Sequence, residues 1–139
     1  LIGLVGSEMC IRDREEMDEM LHDLMELGVT PVIAHPERYR CVQESESGIA
    51  KWKNRGCLLQ VNRGSIFGRF GSGAKQCVDR LLDQHMVTCI ASDAHKPYER
   101  TTYMADIKEY MEQEYSFEYS KKLLYDNPKR ILEGEKVVQ

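Results

Sequence analysis

The sequence predicts an α/β fold on a parallel sheet, and three observations carry that reading. Short apolar runs alternate along the chain with stretches of helical periodicity, glycines stand where those helices should stop, and each apolar run opens into a polar loop. With 139 residues, 42% hydrophobic and 30% charged, the composition is that of one ordinary globular domain rather than a disordered segment.

The first regular stretch holds Met17, Met20, Leu21, Leu24 and Leu27 at helical spacing and stops at Gly28, which suits a residue at positive φ. Val29 to Ala34 then reads as a buried strand ended by His35-Pro36. A weaker helix around Ile49 to Arg55 is closed by Gly56, and the strand Cys57 to Asn62 follows, running into a glycine-rich loop from Gly64 to Gly73. Ser72 is placed to cap the next helix, in which Ala74, Cys77, Val78, Leu81 and Leu82 make one apolar face. A third strand, Val87 to Ala91, ends at Ser92-Asp93-Ala94-His95. The remainder reads as helix: Thr102 to Glu114, a stretch through Leu123 and Leu124, and a last helix with Asn127 as cap, Pro128 at its first position and Gly134 as its stop. Three or four β/α units are too few to close a barrel, which commonly takes about 200 residues or more.

Charge and cysteine content narrow the function. A formal charge of −4 gives no global basic field, so a nucleic-acid partner is disfavoured and a phosphorylated substrate would need local cations. No stretch reaches the roughly 18 to 20 apolar residues of a membrane span. The start, Leu1 to Val5, has neither a basic leader nor a cleavage site, and a cytoplasmic protein is expected. Five cysteines without a C-x-x-C pair are expected to be reduced, packed thiols rather than a disulfide framework or a zinc knuckle.

In parallel β/α proteins reactive groups gather at the carboxyl ends of the strands, and His35, Asn62, Asp93 and His95 fall there. Two histidines and an aspartate match the nitrogen and oxygen donors of a catalytic Zn, Mn or Fe site. Alternate positions of an extended segment point the same way, so Asp93 and His95 are expected to reach one centre. Arg38 and Arg100 each follow a candidate ligand closely, and a guanidinium can hold two phosphate oxygens. His22 and His85 lack such partners and read as structural or solvated. The loop Gly64 to Lys75 is not a Walker motif, because Ala74 separates Gly73 from Lys75 and no Ser or Thr follows in place. Phe67 and Phe70 are expected to form a lid or wall.

Four blocks, Pro31 to Tyr39, Gln60 to Ser65, Ala91 to His95 and Asn127 to Leu132, resemble in order and spacing the bacterial protein-tyrosine phosphatases of the polymerase-and-histidinol-phosphatase (PHP) type that serve capsule and exopolysaccharide synthesis. The resemblance runs from about Glu15 to Gly134. It implies a distorted seven-stranded (β/α) barrel with a trinuclear centre of divalent metals, Mn foremost with Fe or Zn as alternatives, that hydrolyses phosphotyrosine. Its implied partner is a phosphotyrosine protein, the tyrosine kinase of the polysaccharide system. By the same resemblance His35, Asp93 and His95 are metal ligands, Arg38 and Arg100 grip the phosphate and take part in catalysis, and Glu37 supports the loop.

The family's amino-terminal His-x-His pair and its further acidic and histidine ligands have no counterpart in this sequence. Residues 15–139 are therefore expected to correspond to the carboxyl-terminal half of the barrel, with 1–14 an atypical, non-native leader that breaks strand and helix patterns alike. Little or no turnover is expected of the chain alone, and its uncovered strand edge favours association into homo-oligomers. A histidinol-phosphatase-like PHP enzyme, or a remnant without activity, are the rival expectations.

Overall fold

A computed structural model of the chain describes residues 11–98 and 100–137, with side chains from residue 15 onward. Three short strands form a parallel sheet in the order β1 (Val32–Ala34), β2 (Leu58–Asn62), β3 (Cys89–Ala91). The register pairs Val32 with Leu58 and Ala34 with Gln60, then Gln60 with Cys89 and Asn62 with Ala91. Each strand is shorter than its apolar run. The pairing nevertheless continues past the strand ends, because the His35 amide donates to the Gln60 carbonyl at 2.7 Å and Thr88 N–H donates to the Leu59 carbonyl at 2.8 Å. The buried Thr88 hydroxyl also accepts from the Leu59 amide at 3.0 Å, standing in for a ladder carbonyl where β3 has not yet begun.

Side chains alternate across the sheet, so Ile33, Leu59, Val61 and Ile90 share one face and all are at most 4% exposed. Helices cover that face: α1 (Ile11–Glu26), α3 (Ser47–Asn54), which follows the short α2 (Arg40–Glu44), α5 (Ser72–Asp83) and α6 (Ala105–Glu114) contribute Met17, Leu21, Ile49, Trp52, Cys77, Val78, Leu81, Leu82, Ile107 and Met111 to one core. The apolar face predicted for α5 is the buried one. Helix α1 docks on α3 through Asp18, which accepts from Trp52 Nε1 at 2.5 Å and pairs with Lys51. The described part of the helix includes Ile11 to Arg14, a stretch that the sequence pattern left without a helix signal, and it stops ahead of Gly28 at φ 75°.

Three local expectations are corrected. The glycine-rich loop begins as a helical turn, α4 (Arg63–Ile66), because Gly64 gives the Phe70 ring room: a Cβ there would meet it at 2.7 Å. Gly71, at φ 90° and ψ 168°, takes the cap position of α5 instead of Ser72, since only glycine occupies that conformation without strain. Asn127 is not a cap either. The chain stays helical from α7 (Phe117–Lys121) through a π-helical turn, Lys122–Asp126, into α8 (Asn127–Glu133), and Asn127 is buried within it, donating from Nδ2 to the Thr88 carbonyl at 2.8 Å. The widened turn accommodates Pro128, which has no amide hydrogen to offer a helical carbonyl. Gly134 ends α8 at φ 69°, as its position in the sequence predicts.

The cysteines Cys41, Cys57, Cys77 and Cys89 are buried; Cys10 lies outside the described residues. No helix among the described residues is long and apolar enough to cross a membrane.

Candidate functional site

The carboxyl ends of all three strands point to one place. β1 ends at Ala34 and the next residue, His35, turns into the left-handed region at φ 39°, ψ 52°. Pro36, with its fixed φ, starts a short 3-10 turn, Pro36–Arg38, and Tyr39 locks it by donating from its hydroxyl to the Ala34 carbonyl at 2.9 Å. Between His35 and Arg38 sits Glu37, fully buried. Its Oε1 accepts from the Asn62 amide at 3.0 Å and from the Ser65 hydroxyl at 2.6 Å, tying the loop after β1 to the end of β2. Burial pushes its carboxyl pKa up to about 7, against the pull of those two donors.

At the end of β2 the amides form a relay. Gln60 Nε2 donates to Asn62 Oδ1 at 3.0 Å, and Asn62 Nδ2 donates to Asp93 Oδ2 at 2.9 Å. That same Asp93 oxygen accepts from Arg100 Nη2 and lies 3.9 Å from Arg38 Nη1. Two guanidiniums from two different loops thus converge on one carboxylate oxygen. Both rest against the Phe70 ring, with Arg38 4.3 Å and Arg100 5.5 Å from its centroid.

Asp93 and His95 do come together, though not by strand alternation. Asp93 sits at φ 53°, so the segment kinks, and His95 Nδ1 lies 2.7 Å from the Asp93 backbone carbonyl and 3.7 Å from Asp93 Oδ1. The loop closes where the His95 amide donates to the Arg100 carbonyl at 3.1 Å. Among the described residues the non-glycine positions at positive φ are His35, His85, Asp93 and Arg100, and all but His85 belong to this site. Such backbone costs about 1–3 kcal/mol per residue, and it collects where a side chain must be aimed.

His35 is held neutral: burial lowers its pKa first, and the positive charge of Arg38 adds to that against the opposing pull of Asp93. Its Nδ1 is buried without a hydrogen-bond partner, as is Arg100 Nε. A neutral imidazole with an unspent nitrogen is the form that binds a metal. Yet no three His, Cys, Asp or Glu side chains among the described residues lie close enough together to hold an ion. Asp93, moreover, is already engaged by Asn62 and Arg100.

His22 is exposed on α1, and His85 is exposed, tilted against the Tyr119 ring at 4.5 Å; neither joins the site. Sequence reasoning passed over two contributors. Asn62 was visible only as a strand-end residue, and Glu37 only as a loop support, because their partners lie 25 to 31 residues away along the chain.

Comparison with known proteins agrees with the block resemblance. The family model described as "Capsular polysaccharide synthesis, CpsB/CapC" matches residues 8–133. The tyrosine-protein phosphatase CpsB of Streptococcus pneumoniae is 31% identical over 117 residues, covering 81% of this chain and 48% of that protein. The tyrosine-protein phosphatase YwqE of Bacillus subtilis (strain 168) is 30% identical over 120 residues, covering 86% and 47%. A chain from the crystal structures of YwqE and CpsB, described as unique metal-dependent tyrosine phosphatases, superposes with a TM-score of 0.83 at 27% identity, over 96% of this chain and 52% of that one. The chain therefore spans about half the length of the relatives it matches. With a family model that covers nearly all of it and a strand-end cluster on the expected blocks, this chain belongs to the CpsB/CapC family of capsular polysaccharide synthesis.

Proposed function

We propose that the chain supplies the phosphate-gripping half of a metal-dependent protein-tyrosine phosphatase, whose substrate is a phosphotyrosine protein such as the tyrosine kinase of a capsule or exopolysaccharide system. The observation that carries the reading is the meeting of Arg38 and Arg100 on Asp93 at the strand ends, beside the partnerless His35 nitrogen. Planar guanidiniums match the oxygens of a phosphoryl group, and placed in advance they stabilise the charge it gathers during displacement. Asn62 and the Gln60 relay hold Asp93 between them. His35, Asp93 and His95 would be this chain's donors to divalent metal, Mn foremost, with Fe or Zn as alternatives. When bound, such a metal supplies Lewis acidity: it lowers the pKa of water and balances charge on phosphoryl oxygens.

In this reading the three-stranded sheet is part of a distorted (β/α) barrel, and the chain is its carboxyl-terminal portion. The remaining metal donors then come from residues that this chain does not contain, so turnover by the chain alone is weak or nil.

The test is a chimera that joins the amino-terminal half of the Bacillus relative to residues 15–139 and is assayed on a phosphotyrosyl peptide with Mn, Fe and Zn in turn. Hydrolysis is expected, and replacing Arg38 or Arg100 with alanine should lower kcat/KM by about 10²- to 10³-fold. A folded chimera that hydrolyses nothing with any of these metals, or whose turnover ignores both arginines, would refute the reading.

A further inference from the structure

Phe70 is the residue that neither the motif blocks nor the ligand set accounts for. It stands in the turn between α4 and α5, half-buried, and two elements fix it from below. Gly64 leaves the space its ring occupies, with the Cβ of any other residue falling 2.7 Å from the ring, and Gly71 at φ 90° turns the chain away immediately after it. Above it lie the two guanidiniums, 4.3 Å and 5.5 Å from the ring centroid. They come from the loops after β1 and β3, while Phe70 follows β2, so one ring touches the arginines of both neighbouring loops.

We propose that Phe70 is the positioning residue of the arginine pair, an aromatic floor that sets their spacing before an anion arrives. The reasoning is electrostatic and entropic together. Two like charges drawn to a single carboxylate oxygen repel each other, and Asp93 alone fixes only where their tips meet. A ring presents negative quadrupole to cations across its face, so it holds both side chains flat while leaving their outward N–H groups free. An arginine already held loses less side-chain freedom when phosphate binds. Phe67, in the same turn, does not share the role: its ring meets Arg63, at 5.5 Å, and Tyr110.

This inference rests on the phosphate reading of Arg38 and Arg100, and the experiment separates the two. The full chain is compared with Phe70→Leu, which keeps apolar bulk but removes the quadrupole, and with Phe70→Trp, which restores it. Inorganic phosphate is titrated while NMR follows the arginine Nε–H and Cδ–H signals. In the parent chain those of Arg38 should be shifted upfield by the ring. Phe70→Leu should lose that shift and bind phosphate roughly 5-fold more weakly, with Phe70→Trp recovering both. Unchanged phosphate affinity in a folded Phe70→Leu variant, or a parent spectrum without ring-shifted arginine signals, would overturn the proposal. Phosphate binding that survives both Arg38→Ala and Arg100→Ala would overturn the phosphate reading instead, and then the ring shifts alone judge whether Phe70 positions the arginines.

Discussion

The site is assembled from single atoms whose alternatives to their present partners are poor. Glu37 shows this most clearly, because one carboxylate oxygen serves two buried donors, the Asn62 amide and the Ser65 hydroxyl. Replacing Glu37 with alanine leaves both without an acceptor and opens a cavity, and the expected loss is about 2–4 kcal/mol of stability in urea denaturation. Glu37→Gln keeps an acceptor oxygen in place and should cost less than about 1.5 kcal/mol. Equal losses in the two variants would mean that the carboxyl group itself, not the volume or the single acceptor oxygen, is what matters there. The residue types were legible in the sequence: His35, Arg38, Asp93, His95 and Arg100 stand at the strand ends where the pattern put them. What could not be read was how they engage. That depends on left-handed backbone at His35, Asp93 and Arg100, and nothing in those side chains announces a positive φ.

At the scale of elements, the loops that carry the site are braced by pairs between helices and strand ends. Arg63, just past β2 and 5% exposed, donates through Nε and Nη2 to both carboxylate oxygens of Asp106 in the first turn of α6, the Nε bond being 2.7 Å. The hydrogen bond from Arg63 is the main reason that the Asp106 carboxyl titrates below its ordinary value of 3.8. A carboxyl with a depressed folded-state pKa stabilises the fold above its unfolded pKa, and that stabilisation fades as pH falls through the folded value. Asp106→Asn should therefore cost about 1–2 kcal/mol near pH 7, a figure reduced for the partial exposure of Asp106, and the gap between variant and parent should shrink below pH 4. A gap that stays constant from pH 7 to pH 3 would rule out the charge as its source. A second brace is Asn127, whose side chain satisfies the Thr88 carbonyl just before β3; Asn127→Ala should cost about 1–3 kcal/mol and lower the melting temperature. The periodicity of α1 and α5 and the positions of the strands were legible because burial alone dictates them. The π-helical turn was not, because the pull that buries Asn127 comes from a residue 39 positions earlier.

At the scale of the molecule, the sheet has one finished face and one unfinished one. Ile33, Leu59, Val61 and Ile90 are sealed under helices, whereas on the opposite parity Leu58, Asn62 and Cys89 are buried but Val32, Ala34, Gln60 and Ala91 remain half-exposed. Parallel sheets are ordinarily covered on both sides, and among the described residues neither β1 nor β3 has a partner on its outer edge. At the strand starts a cavity of about 840 Å³ opens between Val32, Leu58, Ile131 and Val137. Apolar surface and unpaired edge of this kind are satisfied either by more sheet or by another molecule. The chain in isolation should therefore self-associate, with a weight-average sedimentation coefficient that rises across a hundredfold range of protein concentration. Val32→Lys places a charge on the open face without touching the helix-covered core, and it should shift the population toward monomer while leaving the circular dichroism unchanged. A parent chain that sediments as a monomer throughout that range would show that water tolerates the open face, and the argument that the sheet needs further covering would fall with it.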